Sequence, residues 1–295
     1  MKLALNCLVR FVPLFACATL VSAQAAHPTD RLIDGLLYET RITTASSIMS
    51  GPAMWSRMRT IEASGKLRTE VLEVSGAMPG APASPMRGGP GSYTVILGGG
   101  RVFGVDTVKR EYFDVSVRDM FSSGSDMMKA LQGMNVKISD EKFDAKDLGD
   151  GGAILGHPTR RWRLHQSMTM STQMGDTMAI TSEMTTETYY ARDLERMASS
   201  PLDSTLLNTM TGAMPMSDLK KIGAAYSKLP KTLPLKSIQN GLMLLGPMEV
   251  TMTMTAEVTK IQKGRFSESL FRVPKGYKLV EMPFFKMPAM ARPER

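Results

Sequence analysis

The chain has 295 residues, a formal charge of +8 and only two cysteines. That length allows one large domain or two small ones around a real core, and one is expected. Lysine and arginine are dispersed, with Arg160-Arg161 and Lys220-Lys221 the largest clusters, which excludes a nucleic-acid reader built on a basic stripe.

The first thirty residues, MKLALNCLVRFVPLFACATLVSAQAAHPTD, have Lys2 and Arg10 around an apolar run that closes in small residues. This predicts a secretory signal peptide over 1–25, cut after Val21-Ser22-Ala23 or Ala23-Gln24-Ala25. The run is shorter than the roughly 20 apolar residues of a spanning helix. A periplasmic or secreted protein is expected, touching membranes at most peripherally. Leu14-Phe15-Ala16-Cys17 also suggests a lipoprotein box, but Phe15 is bulky and the run continues past Cys17, so a cleaved leader is preferred to a lipid anchor at Cys17. Cys7 and Cys17 both lie in this leader, leaving the mature chain neither thiol nor disulfide.

Beyond the leader, period-two alternation rich in Thr, Val, Ile and Tyr predicts strands over 36–47, 54–63, 66–74, 93–97, 101–106 and 110–115. Ser64-Gly65 and Gly98-Gly99-Gly100 supply turns, and the Pro- and Gly-rich stretch 76–92 is expected as a disordered loop. Three- and four-residue spacing of Val117, Met120, Phe121, Met127, Met128 and Leu131 predicts a helix over 116–134, interrupted near Gly124. Strands are predicted again at 136–148, 153–172 and 177–191. A helix follows at 217–229 with Ser217 as N-cap and Asp218 in its first turn. Two more strands, 238–245 and 250–262, precede an extended segment 266–282 and a flexible tail, 285–295. The fold class expected is mainly β with some α: a strongly curved antiparallel sheet, an incomplete barrel, with two or three short helices on its concave side.

The segment 167–190, SMTMSTQMGDTMAITSEMTTETYY, predicts a hairpin. A three-residue connection of Gly175, Asp176 and Thr177 would set Met174 opposite Met178, Met168 opposite Met184 and Trp162 opposite Tyr190. Trp162, Leu164, Met168, Met170, Ile180 and Met184 then share one side. The other side is polar, with His165 opposite Glu187 and Thr169 opposite Glu183. In VTMTMTAEVTK the same device puts Val250, Met252, Met254, Ala256 and Val258 on one side and threonines on the other. Strands usually take β-branched or aromatic residues for an apolar side, whereas methionine is unbranched and adapts to varied apolar partners. The 26 methionines fit either an adaptable apolar cavity or an ordinary core.

Three function classes follow. The first is a carrier that shelters a lipid or acylated peptide in a cavity lined by Trp162, Leu164, Met168, Met170, Ile180, Met184, Val250, Met252, Met254 and Val258. The second is a non-enzymatic envelope protein with a solid core, acting through its surface. The third is a Cu(I)-binding protein using thioether ligands. No cofactor, metal or catalytic residue is predicted. His157 sits in a turn-like LGHPTRR and His165 on a polar side, roughly 26 Å away if the strand is continuous, and neither adjoins a nucleophile elbow.

AILGHPTRRWRL, TTETYYARDL and LFRVPKGYKLVEMP together resemble exported bacterial proteins of domain of unknown function 4412, a family similar to the LolA/LolB-like lipoprotein-carrier half-barrels. The resemblance implies a single half-barrel domain over 26–284, with an apolar cavity for acyl chains. It also implies a helical lid formed by Met120, Phe121, Met127, Met128 and Leu131 together with the helix at 217–229.

Overall fold

The computed structural model describes residues 30–48, 52–75, 89–116, 137–174, 176–197 and 219–281. Six strands come first: β1 (Leu32–Ser46), β2 (Met54–Ala63), β3 (Lys66–Ser75), β4 (Tyr93–Ile96), β5 (Arg101–Asp106) and β6 (Glu111–Ser116). The second half holds β7 (Lys137–Ile154), β8 (His157–Met174), β9 (Asp176–Glu195), helix α1 (Leu219–Ser227), β10 (Thr232–Leu245) and β11 (Met248–Ser267). A 3₁₀ turn, Glu268–Phe271, and the two-residue β12 (Lys278–Leu279) close it.

All twelve strands form one sheet in the order β12-β6-β5-β4-β3-β2-β1-β11-β10-β9-β8-β7. Two antiparallel meanders, β1 to β6 and β7 to β11, are thus joined through β1 and β11. The last strand, β12, runs parallel to β6.

The sheet is strongly curved. Strand β9 lies four positions from β2, which in a flat sheet is roughly 19 Å. Yet Gly65 N, just past β2, donates to Met197 O at 3.1 Å, and Arg196 Nη2 reaches Glu62 Oε1 at 3.5 Å. The curl closes toward the face bearing Leu36, Tyr38 and Glu62, which is therefore concave. There the ends of β9, β10 and β11 pack Ala191, Leu194, Leu233, Leu235 and Val258 against Leu36.

The convex face of the first meander has its own core. Ile33, Ile61, Ala63, Tyr93, Val95, Phe103 and Val105 are buried beneath Phe271, with Val273 and Tyr277 packed alongside. Residues 266–282, expected as extended chain, instead turn through the 3₁₀ helix to lay Phe271 on this core. Ser267 Oγ caps that turn by accepting from Ser269 N at 3.1 Å. On the concave side Gly104 faces Phe113 across the β5–β6 pair, and the ring lies so close that a Cβ would sit 2.0 Å from it.

Other boundaries move too. The strand expected at 153–172 is two strands, because Leu155 (φ 52°) and Gly156 (φ 81°) form a tight turn between β7 and β8. Strand β1 begins at Leu32, running through Gly35, where a Cβ would meet Glu62 O and Phe266 at 2.7 Å. Helix α1 lies within the expected 217–229 and packs Ala225 against Ala145 and Leu164, on the concave side. Ser116, expected to open a helix, ends β6; the rest of the 116–134 helix, including Met120, Phe121, Met127, Met128 and Leu131, lies outside the described residues. So do the leader 1–25, loop residues 76–88 and the tail 285–295.

Candidate functional site

Strand register decides which side chains share the concave face. The β8–β9 pairing sets Trp162 opposite Thr188, Gln166 opposite Met184 and Met168 opposite Ser182. This is two residues from the register expected of a Gly175-Asp176-Thr177 connection, so His165 faces Thr185 rather than Glu187, and Thr169 faces Thr181 rather than Glu183. A two-residue slip leaves every side chain on its original face. Hydrophobic alternation therefore cannot choose between the two registers. Charge does: Arg163 stands directly opposite Glu187 and donates to its Oε1 from Nε at 3.0 Å and Nη2 at 2.6 Å.

Continuing the pairing across β10 and β11 gives four concave rows. They read Leu164–Thr186–Gln239–Met254, Gln166–Met184–Gly241–Met252, Met168–Ser182–Met243–Val250, and Met170–Ile180–Leu245–Met248. The rows extend onto β1 and β2, where Met254 faces Thr44 and Thr44 faces Met54. Every residue expected on the apolar face falls in these rows or on their flank, with Trp162 one step and Val258 two steps toward the other end. Leu164 and Val258 are buried, and Trp162, Met168, Ile180, Met184, Val250 and Met254 are half-buried. Met252 is exposed. Met170 joins the face by its backbone position.

Strand β10 adds residues that the sequence reading passed over. Gly241 stands between Met184 and Met252 and leaves a gap in the second row, its nearest neighbour being the Met252 side chain at 3.9 Å from a hypothetical Cβ. Gln239 and Gln166 flank Met184 from either side. Both Nε2 groups donate to its Sδ, Gln166 at 3.5 Å. The period-two series Gln239, Gly241, Met243, Leu245 was the available signal, obscured by the run Leu242-Met243-Leu244-Leu245, apolar on both faces.

Trp162 carries a further feature. Its indole Nε1 is buried and has no hydrogen-bond partner among the described residues. A buried N–H without an acceptor is costly, and this one belongs to the concave face beside the rows. An oxygen acceptor brought by a ligand would satisfy it.

At the opposite end of the same face lies a second hollow, an open cleft of about 680 Å³ whose lining includes Asp34, Leu36, Arg192, Leu194, Arg196 and Lys263. Its floor is the packed Leu36 and Leu194, which with Leu235 and Val258 separate it from the methionine rows. Its walls are charged and internally paired. His157 Nδ1 lies 2.9 Å from Asp193 Oδ2, and that contact holds the Asp193 carboxyl below its usual pKa. Arg192 reaches Asp150 at 3.1 Å. Tyr38 donates its hydroxyl to Glu62 at 2.9 Å, and burial followed by the nearby Glu62 charge raises the tyrosine pKa well above its ordinary value. Among the described residues no cluster of His, Cys, Asp and Glu is arranged to hold a metal ion.

No protein-family model and no curated protein matches the sequence. Among solved structures the chain is similar to PNGF-II, at 13% identity and a TM-score of 0.35, over 85% of this chain and 32% of that one. It thus spans about a third of PNGF-II. It is also similar to a LolA superfamily protein of Nitrosomonas europaea, at 9% identity and a TM-score of 0.27, over 84% of this chain and 93% of that one.

Proposed function

We propose that this chain is an exported, non-enzymatic envelope module that shelters a lipid or acylated ligand against its methionine rows. The observation that carries the reading is the row Gln166–Met184–Gly241–Met252. A glycine between two flexible thioether side chains makes a shallow trough whose walls can adjust to an acyl chain. Trp162 Nε1, buried and without an acceptor among the described residues, is the donor available to the carboxyl or ester oxygen of such a ligand. Helix α1, packed over Leu164, covers one flank of the trough. The motif likeness to domain of unknown function 4412 belongs to the same reading, and so does export through the leader.

Each buried CH₂ contributes roughly 0.8 kcal/mol, so an acyl chain lying along even part of the trough binds measurably. Native mass spectrometry of protein taken from the envelope fraction, followed by organic extraction, should reveal a co-purifying lipid. Titration with a fluorescent fatty acid should saturate. Absence of both defeats the proposal.

A second reading is an envelope structural protein with a filled core. It draws support from the other end of the concave face, where Leu36, Leu235 and Val258 pack solidly. The copper reading gains nothing comparable, since the Met184 sulfur already accepts two carboxamide N–H groups.

A further inference from the structure

Charge is distributed very unevenly along the strands. The stretch 42–56, ending β1 and beginning β2, contains no Asp, Glu, Lys or Arg; 166–182 contains only Asp176, and 237–256 only Glu249. The whole chain is 22% charged, so runs of this length would each be expected to carry several charges. The fold brings the three stretches together. The β10–β11 hairpin closes in the row Met170–Ile180–Leu245–Met248, and the β8–β9 pairing runs past that row at the same end as far as Met174–Asp176. The end of β1 is tied beside them by Ser47 N donating to Thr251 O at 2.9 Å. The opposite end carries the charged cleft around Arg192, Arg196 and Lys263.

Large apolar side chains stand in solvent at this charge-poor end: Ile48 is 67% exposed, Met248 51%, Met243 41% and Leu244 37%. Met243 and Leu244 are consecutive in a strand and so point to opposite faces. A protein groove laid against the hairpin would cover one face and leave the other in water, whereas the interfacial region of a bilayer surrounds both. Unpaired charge is what a bilayer resists most strongly, and these three stretches nearly lack it.

We infer that this charge-poor end, formed by the adjoining described ends of β1, β2, β8, β9, β10 and β11, seats in the surface of a lipid bilayer. The methionine rows then open toward the membrane and the charged cleft faces water. Apolar burial drives the contact: the three stretches offer no lysine or arginine, and the charges beside them, Lys137, Asp140, Glu141 and Lys142 of β7, stand at the margin along 167–171 of β8 with both signs present. The inference does not require a sheltered ligand.

Flotation of the purified protein with neutral phosphatidylcholine vesicles tests it. The protein should float with the vesicles at low and high salt alike. Met243→Asp with Leu244→Asp should cut partitioning roughly tenfold or more. Leu155→Asp, an exposed apolar residue in the turn at the other end, should leave it unchanged. Circular dichroism and urea unfolding check that the variants remain folded. Leu244→Asp alone, on the face away from the methionine rows, should lower partitioning in the same direction while leaving fluorescent fatty-acid titration in vesicle-free solution unchanged, which separates this inference from ligand sheltering. No flotation with neutral vesicles overturns the inference, and so does flotation only with anionic vesicles at low salt or an equal loss in Leu155→Asp.

Discussion

Arg196, beyond the end of β9, lies 3.5 Å from Glu62 of β2, a carboxylate with no solvent exposure. Curvature brings them together, and Tyr38 donates to the same carboxylate. The contact is a clasp across the concave face. Arg196→Ala removes a cation from beside a buried anion, and such losses cost roughly 3 kcal/mol or more. Urea unfolding should show a lower midpoint. Glu62→Gln combined with Arg196→Met should recover part of the loss, since no buried charge is then left behind.

Two glycines should respond oppositely to alanine. At Gly104 the added methyl would fall 2.0 Å from the Phe113 ring, so Gly104→Ala forces that ring from its place at a cost of roughly 1–3 kcal/mol. At Gly241 the nearest atoms are 3.9 Å from the new methyl, an ordinary contact. Gly241→Ala should be neutral or slightly stabilising in thermal unfolding, while narrowing the trough and weakening fatty-acid binding.

Acid should loosen the C-terminal segment. Glu268 is held below the ordinary carboxylate pKa by a hydrogen bond and charge contact from Lys66, and Asp30 by hydrogen bonds from Ser267 and Ser269. A carboxyl with a depressed folded pKa adds stability above its unfolded value and loses it as pH falls through the folded one. The melting-temperature difference between the unaltered protein and Glu268→Gln should therefore be full at neutral pH and shrink below about pH 4. A difference that grows on acidification would contradict the assignment.

The ligand trough has its own variants. Trp162→Phe keeps an aromatic ring but removes the N–H that has no partner among the described residues, which should weaken fatty-acid binding roughly 2- to 10-fold, as for a single hydrogen bond. Met252→Glu puts a carboxylate in the second row and should weaken it further. Thr253→Glu, the same change on the opposite face, should do neither. Fluorescence titration of the three against the unaltered protein is the comparison.

Much of this arrangement was legible in the sequence, and the gaps have physical causes. Period two assigned Met168, Met184, Met252 and Met254 to one face because a strand offers only two. It was blind to a slip of two residues at Gly175, which the facing charges of Arg163 and Glu187 could have corrected. The first strand, expected from residue 36, begins at Leu32, and the need for glycine at Gly35 comes from Phe266 and Glu62, both distant in sequence. The charged cleft could not be read at all. It draws Asp34 from β1, Ser64 from a turn, Arg192 from β9 and Lys263 from β11, residues that meet only because the sheet curls.

The seam between β1 and β11 pairs Leu32 with Ser267, almost the full described chain apart. Each meander can zip up from local hairpins, but the seam must wait until the last long strand has left the ribosome. Until then β1 offers an unprotected pairing edge to any neighbouring nascent chain. Slow maturation, with a need for holding chaperones, is the kinetic consequence of joining the sheet at its middle.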